Sequence, residues 1–283
     1  MLRDDALRDK VVLVTGGGSG LGLAMARRFA ALGARVAIAG RSERRLAAAA
    51  PEIDPSGERV FVHPADVRDY AQVEALVRAV HEHFGAVDAL VNNAAGNFLA
   101  ATEELSPNGF NAVVQTVLNG TFHVTHALGR RWIEAGRGGS ILNVVTTYAW
   151  TGSAFVVPSA AAKAGVLAMT RSLAAEWAAY GIRANAIAPG PFPTAGAWER
   201  LVPTPELEAE MRARIPLRRF GDPAELAELA AFLLSDAAPF ITGECVTIDG
   251  GEWFASGGQF NGLLRVPRGE LKEIMRRMRE ERA

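Results

Sequence analysis

The run Thr15-Gly16-Gly17-Gly18-Ser19-Gly20-Leu21-Gly22 can bind a negatively charged ligand with backbone alone. Glycines let the main chain approach a pyrophosphate, and the amides and dipole of a helix starting there favour its charge. The spacing is G-x-x-x-G-x-G, between the apolar run Val11 to Val14 and the helical pattern LAMARRFAALG. The expected ligand is therefore a dinucleotide, held by Gly16, Gly17, Gly18, Ser19, Gly20 and Leu21. The second apolar run ends Ala39-Gly40-Arg41, without the acid that would grip free ribose hydroxyls. Arg41 can pair with a 2′-phosphate instead, so NADP(H) is expected over NAD(H). Asp66, just past the third run, is placed to accept from an adenine amino group. Two further donors lie beyond later runs: Asn97 follows NNAAG, and Tyr148 stands three residues after Ile141 to Val145. Both are expected at the carboxyl edge of a sheet, where open α/β sheets bind ligands.

The elements that must position these residues alternate along the chain. Apolar runs at Val11 to Val14, Arg35 to Ala39, Val60 to His63, Ala89 to Val91, Ile141 to Val145, Arg183 to Ile187 and Cys245 to Ile248 read as buried strands. Between them lie helical patterns: after Asp69, which is placed to cap, around Phe110 to Ala135, around Ala160 to Tyr180 and around Pro223 to Ser235. Strands apolar throughout that alternate with helices predict an α/β fold: one doubly wound Rossmann-type domain over residues 1–283, its central parallel sheet flanked by helices. Two stretches break the rhythm. Pro189 to Pro216 is rich in Pro and Gly and suits a substrate lid, and the extension after Gly251 ends in a charged helical stretch, Leu271 to Ala283.

Composition narrows the class. The 283 residues carry a formal net charge of -1, which gives no electrostatic support for nucleic-acid or acidic-membrane partners. No apolar stretch approaches the roughly 18 to 20 residues of a membrane span. The opening MLRDDALRDK resembles neither a signal nor a transit peptide, and the single cysteine, Cys245, allows no intrachain disulfide. A cytosolic (cytoplasmic) protein is expected, with Cys245 an inert core thiol.

Over nearly its whole length the sequence resembles the short-chain dehydrogenase/reductase family. TGGGSGLG, Asp66-Val67, Asn92-Asn93-Ala94-Ala95-Gly96, Asn119, Lys163, Asn185, Pro189-Gly190 and Asp249-Gly250-Gly251 carry the resemblance. It departs in one place: that family usually has tyrosine four residues before the lysine, and here Ser159-Ala160-Ala161-Ala162-Lys163 stands, with Thr146 where the usual serine would be. A tyrosine starts near pKa ~10 and can be lowered by an ammonium, whereas a serine hydroxyl is far too weak an acid to replace it. Ser159 is not expected to be the acid. Lys163 remains able to hold the nicotinamide ribose and add positive potential.

The departure resembles the 2,4-dienoyl-CoA reductase branch, of the mitochondrial type. NNAAGNF, LSPN, VLNGT, TGSAFVVPSAAAKAGV, SLAAEW, PGPFPTAGAWERL and SGGQFN carry this closer likeness. The resemblance implies that Tyr148 and Asn97 hydrogen-bond the thioester carbonyl of an acyl-CoA substrate while NADPH reduces the diene, giving a 3-enoyl-CoA. It implies that Lys163 and Ser159 anchor the cofactor, with Asp66 and Val67 beside it and Pro189, Gly190, Pro191 and Phe192 against the nicotinamide. It implies substrate contacts at Arg68, Phe98, Ser106 and Arg200, and a homotetramer. Two other readings stay open on the residues alone: a carbonyl or alcohol oxidoreductase using Tyr148 on a small ketone, and a catalytically silent NADP(H)-binding protein.

Overall fold

The apolar runs become seven parallel strands of one sheet: β1 (Val11–Thr15), β2 (Arg35–Gly40), β3 (Val60–Pro64), β4 (Ala89–Asn92), β5 (Gly139–Val144), β6 (Ile182–Pro189) and β7 (Cys245–Ile248). The computed structural model describes residues 2–194, 198, 202 and 204–280. The strand order is β3-β2-β1-β4-β5-β6-β7, every neighbouring pair parallel. It reverses direction between β1 and β4, so a crevice opens beyond their carboxyl ends, the place where doubly wound sheets take ligands.

Helices cover both faces. α1 (Gly20–Ala31) and α2 (Glu43–Ile53) share one apolar layer with a later helix, α9 (Pro223–Leu234), whose start is closed by a capping box between Asp222 and Glu225. The opposite layer holds α3 (Tyr70–Phe84) and α5 (Gly120–Glu134), with Trp132 buried and its indole N–H on the Val87 carbonyl at 2.6 Å. Asp69 caps α3 as expected, its carboxylate accepting from the Ala71 and Gln72 amides. β1, β4 and β5 are buried almost throughout, while the edge strands β3 and β7 are half-buried.

Three readings from the sequence change. The helix expected around Phe110 to Ala135 is α4 (Pro107–Val114) and α5 joined by a π-helical turn, Gln115–Asn119. The turn re-aims the chain where Gly120 meets Val67, so closely that a Cβ would lie 2.5 Å from Val67 Cγ2. The next long helix, preceded by the one-turn α6 (Tyr148–Thr151), is α7 (Val157–Glu176); it begins earlier than expected because Pro158 suits a first turn, and Gly181 at φ 71° closes the 3-10 turn that follows it. Cys245 lies on the edge strand rather than in the core, yet burial pushes its thiol up to about 11, so it stays protonated at neutral pH.

After β6 come α8 (Pro205–Arg214), α9 and β7, then α10 (Glu252–Gly257), a 3-10 turn (Asn261–Arg265) and α11 (Arg268–Glu280). The helical tail is thus present through Glu280, and expected residues 281–283 lie outside the described residues.

Candidate functional site

At the carboxyl end of β1 the glycine turn is bolted to the end of β4. Thr15 Oγ1 accepts from the Asn93 and Ala94 amides, each at 3.1 Å, and donates to the Val91 carbonyl at 3.3 Å. Asn93 Nδ2 donates to the Thr15 and Gly16 carbonyls, both at 3.2 Å. Gly16 adopts φ 67°, and a Cβ on Gly22 would run into the Gly16 carbonyl and lie 2.5 Å from Asn93 Nδ2. Only glycine lets α1 begin against its own turn. Ser19 precedes α1 without capping it, and the first turn holds no acid. The positive end of this helix is therefore left for an anion, and the cradle of Gly16 to Leu21 fits a pyrophosphate.

Arg41 is exposed just beyond β2, beside Ser42, whose hydroxyl caps α2 by accepting from the Arg45 amide at 3.4 Å. Asp66, beyond β3, is engaged by its neighbour: Arg68 Nε donates to both carboxylate oxygens at 3.0 Å, and Arg68 Nη2 to one at 2.5 Å. That guanidinium holds the Asp66 carboxyl below the usual carboxylate range. Val67 is buried, and its carbonyl meets His123 Nδ1 at 2.9 Å. A recess of about 420 Å³ opens here, with Asp66, Arg68, Asp69 and Gln72 on one wall and Asn111, Ala112 and Gln115 on the other.

The central cluster joins two strand ends and one helix. Tyr148 begins α6 just after β5, Asn97 lies on the loop after β4, and Ser159 and Lys163 lie one turn apart on α7, both buried. Asn97 Nδ2 donates to the Tyr148 hydroxyl at 3.4 Å, and Tyr148 Oη and Ser159 Oγ are 3.1 Å apart. The Phe98 amide donates to Asn97 Oδ1 at 2.9 Å, which orients the carboxamide with its N–H groups toward Tyr148. Tyr148 O–H and Asn97 N–H are two donors that can converge on one small oxygen. The Lys163 ammonium donates to the Val144 carbonyl, and burial pushes its pKa down to about 8. A lysine shifted this way carries its charge near neutral pH and sheds it on modest alkalinisation.

Beneath the cluster a buried polar network ties β4 and β5 to the helices behind them. Asn92 Nδ2 donates to Thr125 Oγ1 and Asn143 Oδ1, both at 2.9 Å, and Asn143 Nδ2 to Thr170 Oγ1 at 2.8 Å. Asn143, Thr125 and Thr170 escaped the sequence reading because isolated polar residues inside apolar runs carry no spacing signal.

The other expected site residues are spread around this centre. Pro189 ends β6, Gly190 packs directly against Asp249, Pro191 accepts from the Gly221 amide at 3.1 Å, and the buried Phe192 ring fills the space above Gly221. Phe98 is exposed beside Asn97. Ser106 caps α4, accepting from the Gly109 amide at 3.1 Å, and so lies farther along the same loop. The loop is tied to the segment after α6 by the Ala100 amide, which donates to the Phe155 carbonyl at 3.0 Å. Arg200 lies outside the described residues.

Residues 16–252 match a family model described as enoyl-(acyl carrier protein) reductase. A Bacillus subtilis protein named "Probable 2,4-dienoyl-CoA reductase [(2E)-enoyl-CoA-producing]" is 48% identical over 87% of this chain and 98% of its own length. A Caenorhabditis elegans protein named "Probable 2,4-dienoyl-CoA reductase 3 [(3E)-enoyl-CoA-producing]" is 45% identical over 93% of this chain and 86% of its own. Among solved structures, a short chain dehydrogenase from Bacillus anthracis is 46% identical, with a TM-score of 0.84 over 90% of this chain and 99% of that one. No described helix is long and apolar enough to cross a membrane.

Proposed function

The chain belongs to the short-chain dehydrogenase/reductase family, and from that premise we propose that it uses NADPH to reduce a 2,4-dienoyl-CoA to a 3-enoyl-CoA. The observation that carries this reading is the approach of Asn97 Nδ2 and Tyr148 Oη to 3.4 Å beyond the carboxyl ends of β4 and β5. The cradle from Gly16 to Leu21, Arg41, Asp66 with Val67, Lys163 and the stretch Pro189 to Phe192 would hold the cofactor. A reduced nicotinamide, when bound, supplies hydride.

The chain's own residues do the rest. Adding hydride to the far end of the conjugated diene moves an electron pair onto the thioester oxygen, making a dienolate. Tyr148 and Asn97 give their hydrogens to that oxygen, an oxyanion hole whose donors stand ready before charge develops. Ser159 braces the Tyr148 hydroxyl from α7, and Lys163 adds positive potential beneath it. The dienolate takes its proton at the α carbon from water, which leaves the double bond at C3; protonation two carbons farther on would leave it at C2. The relatives' names divide on this point.

Phe98 and Ser106 line the path of the acyl chain in this reading, and Arg200 and Arg68 meet CoA phosphates. Arg68 spends Nε and Nη2 on Asp66, so a phosphate meets its remaining Nη1 edge. Residues 189–216 act as the lid, and the protein works in the cytosol as a homotetramer. Mixing protein, NADPH and a dienoyl-CoA should consume NADPH in proportion to diene, with a 3-enoyl-CoA as product by NMR. A 2-enoyl product corrects the protonation step, and NADPH consumption with ketones alone replaces this reading with a carbonyl reductase.

Arg41 sets the cofactor preference. A charge-assisted contact to the 2′-phosphate contributes about 1.5 to 3 kcal/mol, so Arg41→Ala should weaken NADPH some 10- to 100-fold and leave NADH nearly untouched. Titrations showing equal weakening of both would remove Arg41 from the site.

A further inference from the structure

The turn that carries Tyr148 has little to hold it by itself. α6 is 4 residues long, its one buried side chain is Ala149, and the Trp150 amide reaches the Thr147 carbonyl only at 3.4 Å. Gly152, at φ 70°, ends it at once. A lone helical turn restricts more dihedrals than its hydrogen bonds repay, so contacts from outside must set where Tyr148 points. Ser159 is one such contact.

The second comes from a segment about a hundred residues away in sequence, on the far side of β7. The Trp150 ring meets the Trp253 ring edge to face, with centroids 5.4 Å apart and planes at 85°. Trp253 is itself firmly placed. One Asp249 carboxylate oxygen accepts from the Gly251 amide at 2.8 Å and the other from the Trp253 amide at 2.7 Å. Asp249 in turn abuts Gly190, where a Cβ would lie 2.6 Å from Asp249 Cβ. On the other side Glu252 faces Arg214 of α8 at 3.9 Å. The start of α10 thus spans from the Pro189 to Phe192 stretch to the Tyr148 turn, which it meets through the two indoles.

We propose that Trp253 is a positioning residue for Tyr148, acting through Trp150. The inference rests on the reading of Tyr148 as a donor to the thioester oxygen. An edge-to-face aromatic contact has a preferred geometry as well as area. Its loss lets α6 shift, and misplacing a reacting group by an ångström can cost about 10²-fold in rate.

The test uses full-length protein and two readouts. Closely packed indoles couple in the far-ultraviolet, so wild type should show an exciton couplet in circular dichroism that is lost in Trp150→Phe and in Trp253→Phe. Trp253→Ala should lower kcat for dienoyl-CoA about 10- to 100-fold with KM for NADPH unchanged. Trp253→Phe, which keeps an aromatic ring against Trp150, should restore most of that loss. In a Tyr148→Phe background Trp253→Ala should have no further effect. A missing wild-type couplet, an unaltered kcat in Trp253→Ala, or an equal loss in both backgrounds overturns the role of Trp253. If Tyr148→Phe leaves kcat at the wild-type value, the site reading itself falls and takes this inference with it, whatever the couplet shows.

Discussion

Tyr148→Phe should lower kcat by about 10²–10³, the usual consequence of deleting one oxyanion donor, while leaving NADPH affinity within about twofold. The two effects separate because the hydroxyl faces Asn97 and Ser159, not the glycine cradle. In the ground state the thioester carbonyl is a weak acceptor. As the dienolate forms, its oxygen gains most of a negative charge, and a donor fixed in place stabilises that charge without reorganising. The ring of phenylalanine fills the same volume, so α6 and the packing of Ala149 should persist. Ser159→Ala should be milder, since it loosens the Tyr148 hydroxyl without removing it. Single-turnover rates and fluorescence titration of NADPH on the three proteins provide the check. A kcat abolished by Ser159→Ala but intact in Tyr148→Phe would move the donor to the serine.

The second large effect is on the substrate side: a free dienoic acid should be reduced at least about 10³-fold less efficiently than its CoA thioester, as kcat/KM. Electronics account for part of this. A carboxylate is already anionic, and hydride addition would place a second negative charge on the oxygens proposed to meet Tyr148 and Asn97, whereas a thioester accepts the pair as a singly charged dienolate. Remote binding accounts for the rest. The phosphates of CoA can meet arginines such as Arg68, and each charge-assisted contact contributes about 1.5 to 3 kcal/mol that can be spent in positioning the diene. A short thioester without the nucleotide separates the two causes, because it keeps the electronics and loses the handle. It should fall between the other two, and equal kcat/KM for all three substrates would exclude a CoA-directed site.

The framework of this site was legible in one dimension because its signals are local. β1, the glycine turn and α1 follow one another within Val11–Ala31, and each is specified by neighbours in the chain: apolar residues for the strand, glycines for the turn, amphipathic spacing for the helix. The same holds for Asp69 capping α3 and for the absence of an acid beyond β2 at Arg41. Strand ends slipped by only a residue or two, since β-branched and aliphatic runs mark a buried strand but not where its last hydrogen bond falls.

Placement across the sheet was a different matter. That Asn97 and Tyr148 leave one edge follows from a parallel sheet, yet their 3.4 Å approach depends on β4 and β5 being neighbours in the order β3-β2-β1-β4-β5-β6-β7. Arg68 spends its guanidinium on Asp66, two residues away, although nothing in their types demanded that pairing over a ligand. The π-helical turn at Gln115–Asn119 leads directly into Gly120, which packs against Val67, a residue from another crossover. Trp150 and Trp253 were unremarked tryptophans until β7 returned the chain to the edge where β5 ends. By itself the sequence determined which segments are strands and helices, which turn is built of glycine, and which side chains are chemically able to donate or carry charge, because those properties belong to residues and their near neighbours. Tertiary structure alone decided which of those side chains meet, because a contact between distant residues is set by the packing of all the elements that lie between them.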